Sequence, residues 1–195
     1  MTAISPLEFI HKKGLFGDHH KKNENDLLVF EEAKNLTIIQ IVQYKNSKIK
    51  VDSIEIDNLT FSLQTSKVVS NLDTRILWSA PNTWLVVSSK SNIIKDIKKK
   101  FSIENFSITD LSHSKAVLRI KGKIAKEVLK KGSPINFGEF KKNSSIGTIY
   151  HGIAIIIDYV EDDPDIFTLY TLRSFGESFY HHITDAALEF GYIGN

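Results

Sequence analysis

The chain has no cysteine among its 195 residues, which excludes disulfides, thiol nucleophiles and cysteine-ligated metals or clusters. Arginine is nearly as scarce. Of the 25 basic residues 22 are lysine, and only Arg75, Arg119 and Arg173 offer the planar guanidinium that phosphate and base recognition favours. The formal charge of +2 is close to neutral for this size, so the runs Lys98-Lys99-Lys100 and Lys121 to Lys131 read as solvated faces, with no recognised nucleic-acid module beside them. Long apolar runs are missing too. Ile153 to Ile157 is far too short to cross about 30 Å of hydrocarbon as a helix, and Met1 to Pro6 has neither the basic start nor the apolar stretch of a signal peptide. The expectation is a cytoplasmic protein with no membrane or nucleic-acid partner.

Catalytic motifs are thin. Gly14-Leu15-Phe16-Gly17 lacks the spacing of a phosphate loop and its following Lys-Ser or Lys-Thr, and no Gly-x-Ser-x-Gly nucleophile elbow occurs. Glu161 to Asp165 lacks the alternating oxygen ligands, central Gly and terminal Glu of a calcium loop, and reads as a hairpin tip. His181 and Asp185 share a helix face at i,i+4, a spacing open to two metal ligands, yet no third ligand stands nearby; His19-His20 beside Asp18 falls short in the same way. Asp110, Ser112 and His113 look like a triad in one dimension, but adjacency is not triad geometry, and an Asp-x-Ser turn accounts for them. No catalytic, cofactor-binding or metal-ligating residue is assigned.

What is present is an ordinary globular composition, 42% hydrophobic and 25% charged. A chain of this length can bury roughly 70% of its unfolded surface. Strand alternation begins near Lys115, Gly122 interrupts it, and Ile124, Ala125, Val128 and Leu129 follow at helical spacing before Gly132 and Pro134. Tyr150 to Val160 and Ile166 to Leu172 read as a hairpin around the acidic turn. Ser174 and Glu177 have capping-box spacing, and Phe175, Phe179, Ile183, Ala187 and Phe190 form one apolar stripe. In the first half, Leu36 to Tyr44 is a strand, Arg75 to Ala80 and Trp84 to Ser88 form a hairpin around Pro81-Asn82, and Ser91 caps a helix carrying Ile93, Ile94, Ile97 and Phe101. Both halves thus close on two strands and a helix, the order expected of an internal duplication, although no residue-level repeat accompanies it.

These segments carry a family resemblance. Asp110-Leu111-Ser112-His113, the strand after it and Gly122 resemble the Asp-Val/Leu-Ser-His, strand and Gly pattern of the folate-binding aminomethyltransferase superfamily, typified by the glycine-cleavage T-protein. Ala125 to Leu129 with Lys131-Gly132-Ser133-Pro134-Ile135-Asn136-Phe137 narrows the likeness to the gamma-subunit family of heterotetrameric sarcosine oxidase, with Ser133 where that family often has Cys. Arg173-Ser174-Phe175, Ala186 to Gly191, the Trp78 to Leu85 hairpin and the opening Ser5-Pro6-Leu7 are similar to the same family. The resemblance spans nearly the whole chain and is strongest from Asp110 to Gly191.

The resulting expectation is an α+β fold of two similar lobes, each an antiparallel or mixed sheet covered by helices. Residues 1–26 would form an N-terminal arm, 27–105 a first lobe and 106–195 a second. The resemblance implies a noncatalytic subunit, supporting assembly of a four-chain enzyme that oxidatively demethylates sarcosine to glycine with one-carbon transfer to tetrahydrofolate. It implies no cofactor on this chain, with FAD, FMN, NAD, tetrahydrofolate and zinc belonging to the alpha, beta and delta subunits. The alternative is a free-standing folate-binding aminomethyltransferase-like protein, for which Asp110, Arg75, Arg119 and Arg173 are the available groups. Phe9, Ile10, Leu15 and Phe16 are expected to contact a larger subunit. Removing residues 1–17 is expected to weaken assembly and leave the fold intact.

Overall fold

A computed structural model describes residues 4–20 and 22–195. Among them, the strands are β1 (Gly14–Phe16), β2 (Leu28–Glu32), β3 (Thr37–Gln43), β4 (Glu55–Ile56), β5 (Leu59–Thr60), β6 (Val68–Ser70), β7 (Thr74–Ala80), β8 (Thr83–Ser88), β9 (Phe106–Asp110), β10 (Lys115–Lys121), β11 (Ser144–Tyr150), β12 (Ile153–Asp162), β13 (Asp165–Leu172) and β14 (Tyr192–Gly194). The helices are α1 (Ile93–Lys100), α2 (Ala125–Gly132) and α3 (Gly176–Ala187). None is long and apolar enough to cross a membrane.

The chain forms two compact units. One contains the residues up to Lys34, Ser114 to Lys142 and Gly147 onward; the other contains Asn35 to His113 and Asn143 to Ile146. The first is built on a seven-stranded sheet in the order β1-β14-β2-β10-β13-β12-β11, the second on a five-stranded sheet, β6-β7-β8-β3-β9, with the small pair β4-β5. Read from β11, the larger sheet runs β11-β12-β13-β10-β2, the same plan as β6-β7-β8-β3-β9. In each, a hairpin lies on one side of a long strand and a single strand on the other. That single strand comes from an unexpected place in the chain. β2 precedes β3 yet pairs antiparallel with β10, and β9 precedes β10 yet pairs antiparallel with β3. Lobes of 27–105 and 106–195 would put each of these strands with the other sheet. The difference arises because edge pairing, not chain proximity, decides where a strand goes.

Inside the second unit, Ile39 and Ile41 of β3 point to one face at period 2 and meet Ile76, Val86, Phe61 and Trp84 in a buried cluster. Trp84 satisfies its indole N–H on the Ser62 carbonyl at 2.8 Å. α1 adds Ile93 and Ile97, one turn apart; Asn92, not the expected Ser91, stands at its N-cap with no side-chain cap, and it ends on Lys98 to Lys100, whose charges suit a helix C-terminus. In the first unit α2 buries Ala125, Val128 and Leu129, while α3 buries Phe179, Tyr180, Ile183, Ala186 and Ala187.

Three expectations are corrected. The run Tyr150 to Val160 is two strands, because His151 and Gly152 both take positive φ and reverse the chain tightly between β11 and β12. The capping box at Ser174 and Glu177 does not form; a 3-10 turn over Arg173–Phe175 leads into α3, with no side-chain cap. The N-terminal arm, expected to stand apart from both lobes, contains β1, which pairs antiparallel with β14, and Phe16 stacks on Tyr192 at 5.1 Å.

The same segment is seated further upstream. Leu7 is only 1% exposed, and its N–H donates to Glu32 Oε1 at 3.0 Å, an oxygen that also accepts from the Ser5 hydroxyl. The His11 ring joins the Asn195 carbonyl through Nε2 at 2.6 Å and the Tyr180 hydroxyl through Nδ1 at 3.0 Å. Leu7 is therefore core, and removing residues 1–17 would open the chain's own sheet, contrary to the expectation that the fold is left intact. Leu7→Ala is predicted to cost about 2–4 kcal/mol in urea titration. Phe9→Ala, at a side chain 84% exposed, should stay within about 0.5 kcal/mol. Equal costs would show that the Leu7 side chain is not part of the core.

Candidate functional site

Asp110, Ser112 and His113 lie where β9 ends. The Ser112 hydroxyl donates to Asp110 Oδ1 at 2.6 Å, the Ser112 N–H donates to the same oxygen at 2.9 Å, and Ile38 N–H donates to Ser112 Oγ at 3.0 Å. These bonds, the Ser112 hydroxyl first, hold the Asp110 carboxyl below its usual range. His113 makes no hydrogen bond to the serine, and the arrangement locks a turn without activating a nucleophile. This is the Asp-x-Ser turn inferred from the sequence.

His181 and Asp185 line a shallow depression of about 450 Å³ on α3, with His182, Thr184, Leu188 and Tyr192. His182 stacks on His151 at 5.1 Å, His181 lies 3.8 Å from Glu177, and Thr184 donates to the Tyr180 carbonyl at 2.7 Å. Among the described residues no group of three or more His, Cys, Asp or Glu side chains is placed to hold a metal ion. Burial, with the charge of Asp185 adding to it, pushes the Tyr150 phenol far up, so it stays protonated and donates to the Val128 carbonyl at 3.0 Å.

Of the arginines available for a pterin pocket, Arg119 and Arg173 have local tasks. Arg119 faces Glu31 across the β2–β10 ladder with a 3.7 Å ion pair. The Arg173 guanidinium donates to the Ile4 carbonyl, and its backbone N–H to the Ser114 carbonyl at 2.8 Å. Arg75 sits in β7 between Ser70 and Val87. Of the expected partner-contact residues, Phe9 and Leu15 are exposed, whereas Ile10 and Phe16 are half-buried.

Sequence reasoning missed the densest polar constellation. Asp57 accepts from Lys90 Nζ at 2.7 Å, from the buried Thr74 hydroxyl at 2.7 Å and from Asn71 at 3.2 Å. Thr74 and Ser88 share a 2.8 Å hydroxyl contact, and Asp73 lies 3.3 Å from Lys90. Asp57 and Asn58 both have positive φ. The network pins the β4–β5 turn to β7 and β8, and the Asp57-Asn58 pair was its one legible signal, as a turn dipeptide. Lys90 first, then Thr74, keeps the Asp57 carboxyl below its ordinary range.

The family model described as sarcosine oxidase, gamma subunit family, matches residues 56–189. No curated protein matches the chain. A chain of the heterotetrameric sarcosine oxidase from Corynebacterium sp. U-96, in complex with pyrrole 2-carboxylate, is similar with a TM-score of 0.80 and 18% identity, over 96% of this chain and 95% of that one. The glycine cleavage system aminomethyltransferase T from Bartonella henselae is similar with a TM-score of 0.61 and 12% identity, over 82% of this chain and 46% of that one. The two likenesses establish a shared α+β fold, and this chain spans about half of the aminomethyltransferase.

The Asp57 network sets a pH dependence. A carboxyl held below its unfolded value stabilises the fold above the ordinary aspartate range, and that contribution is lost as pH falls through the folded value. Asp57→Asn should therefore lower the urea midpoint at about pH 6, and the gap to the parent should narrow at about pH 2.5. A gap that stays constant with pH would show that the charge of Asp57 is not what holds the turn.

Proposed function

The chain belongs to the sarcosine oxidase gamma subunit family, and on that premise we propose that it is the noncatalytic subunit of a heterotetrameric cytoplasmic oxidoreductase. The enzyme oxidatively demethylates sarcosine to glycine and passes the one-carbon unit to tetrahydrofolate. Its FAD, FMN, NAD, folate and zinc sites belong to the alpha, beta and delta subunits, and this chain supports their assembly. The observation that carries the reading is the family match over residues 56–189. The engagement of Asp110, Ser112, Arg119 and Arg173 in turns and ladders supports it.

Phe9, Ile10, Leu15 and Phe16 are assigned to contact with a larger subunit. The support is their two-sided arrangement. Leu7, Phe16 and His11 fasten the segment to its own sheet, and Phe9 and Leu15 project from it, 84% and 41% exposed. A segment held in place before docking loses less conformational entropy on binding.

The test is co-expression of the tagged chain with the alpha, beta and delta subunits, with flavin absorbance and sarcosine-dependent oxygen uptake followed through size exclusion. The tag should travel with a yellow, sarcosine-oxidising complex. A chain that elutes alone and binds folate in titration would favour the free-standing aminomethyltransferase-like reading. The double variant Phe9→Asp/Leu15→Asp should reduce capture by about tenfold or more, with the urea midpoint of the isolated chain nearly unchanged. Undiminished capture would remove the segment from the interface.

A further inference from the structure

The two sheets share a plan that continues further in one of them. In the larger sheet β2 flanks β10, and β14 and then β1 follow beyond it. In the smaller sheet β9 flanks β3 in the same antiparallel sense, and no strand follows beyond it among the described residues. β9 is thus the counterpart of β2 with its outer edge open.

The register shows which groups that edge presents. Ala33 N–H donates to the Val117 carbonyl at 3.0 Å, so by antiparallel alternation Glu31 and Val29 face β10 and Phe30 turns outward, where its carbonyl accepts from Asn195 N–H at 3.0 Å. In β9, Leu111 N–H donates to the Ile38 carbonyl at 2.8 Å and Tyr44 N–H to the Asn105 carbonyl at 2.9 Å, which brackets the ladder. Ser107 and Thr109 therefore face β3, while Phe106, Ile108 and Asp110 turn outward. Phe106 N–H donates to the Ser102 carbonyl at 2.9 Å. The backbone N–H and carbonyl groups of Ile108 and Asp110 have no partner among the described residues.

Edges are ordinarily blunted by lysine, proline, a bulge or a cover. β6, at the opposite edge of the same sheet, is three residues long, and its Val68 N–H donates to the Asn143 carbonyl at 2.9 Å. β9 has five residues, no lysine or proline, and an unbroken register with β3. Donors and acceptors that repeat at every second residue are matched by an extended polypeptide, the occupant that the counterpart edge of β2 already holds. Ile108 packs against the buried cluster of its unit, and Ser107 and Thr109 lie on the opposite face. A matching segment therefore alternates apolar side chains beside Ile108 with polar ones beside Ser107 and Thr109.

We propose that the outer edge of β9 accepts an extended segment of a partner subunit, added to the smaller sheet as β14 is added to the larger. The inference rests on the subunit reading and adds to it a surface made of backbone, apart from Phe9 and Leu15.

The experiment uses the full tagged chain, free and co-expressed with the other subunits, and follows amide hydrogen exchange residue by residue by mass spectrometry with electron-transfer fragmentation. Ile108 and Asp110 should exchange fast in the free chain and about tenfold or more slowly in the complex, with Thr109 slow in both. Slow exchange of Ile108 and Asp110 in the dilute free chain, or fast exchange in both states, overturns the proposal. Protection in the free chain that rises with its concentration assigns the edge to a second copy and overturns the partner occupant. Ile108→Pro removes an outward donor, a change that edge strands tolerate, and should reduce capture by about tenfold or more, whereas Ile108→Ala keeps the donor and should retain most of it. Equal capture of the two variants, with urea midpoints showing both folded, overturns the proposal; if Ile108→Pro does not fold, the exchange measurement decides. Failure of the parent chain to be captured sinks the subunit reading and this inference with it. A captured parent whose Ile108 and Asp110 stay unprotected sinks this inference alone.

Discussion

The pairing of β2 on both its edges is the constraint on which the two ends of the chain depend. β10 is a seven-residue strand with Leu118 and Ile120 buried, and one edge left open beside such a core would strand backbone donors and acceptors. β2 closes that edge antiparallel, with Ile120 opposite Phe30, and offers its other edge to β14 in parallel register. β14 in turn receives β1. The last residue of β2, Glu32, seats Ser5 and Leu7 through Oε1. Its Oε2 accepts no hydrogen bond among the described residues, although Lys34 stands 3.5 Å away. That contact is charge attraction across a gap, so Oε1 carries the seating and Lys34, itself bound to Glu8, balances the charge.

Chemistry-bearing side chains here act as fasteners. Asp110 with Ser112 closes a turn, Asp57 with Lys90 and Thr74 pins another, and Asp165 with Tyr159 and Lys126 ties down the start of β13. In each case a carboxylate meets two or more donors, the arrangement in which burying a charge is tolerable. Such use is coherent with a subunit that shapes an assembly.

Legibility followed the range of the interactions involved. The Pro81-Asn82 hairpin, β3, β10, α2 and the apolar stripe of α3 were readable because their period and turn residues are local. The acidic tip at Glu161 to Asp165 was readable as a hairpin, but the burial of Asp165 beneath Tyr159 was not. β11 was missed because the His151-Gly152 reversal depends on a positive φ at a histidine, which no turn dipeptide announces. β1 and β14 were missed because three-residue strands have no period and exist only through distant pairings, β14 with β2 and β1 with β14.

By itself the sequence determined the α+β class, the principal strands and helices, the absence of thiol chemistry and the family resemblance. All of these follow from residue identity at short spacing. The tertiary structure alone decided that β2 and β9 each join the sheet of the other half, that Leu7 is core while Phe9 is not, and that Asp57, Thr74 and Lys90 meet in one network. These depend on which edges and charges meet across many residues of chain, and the free energy of those meetings belongs to the pair and is written in neither partner.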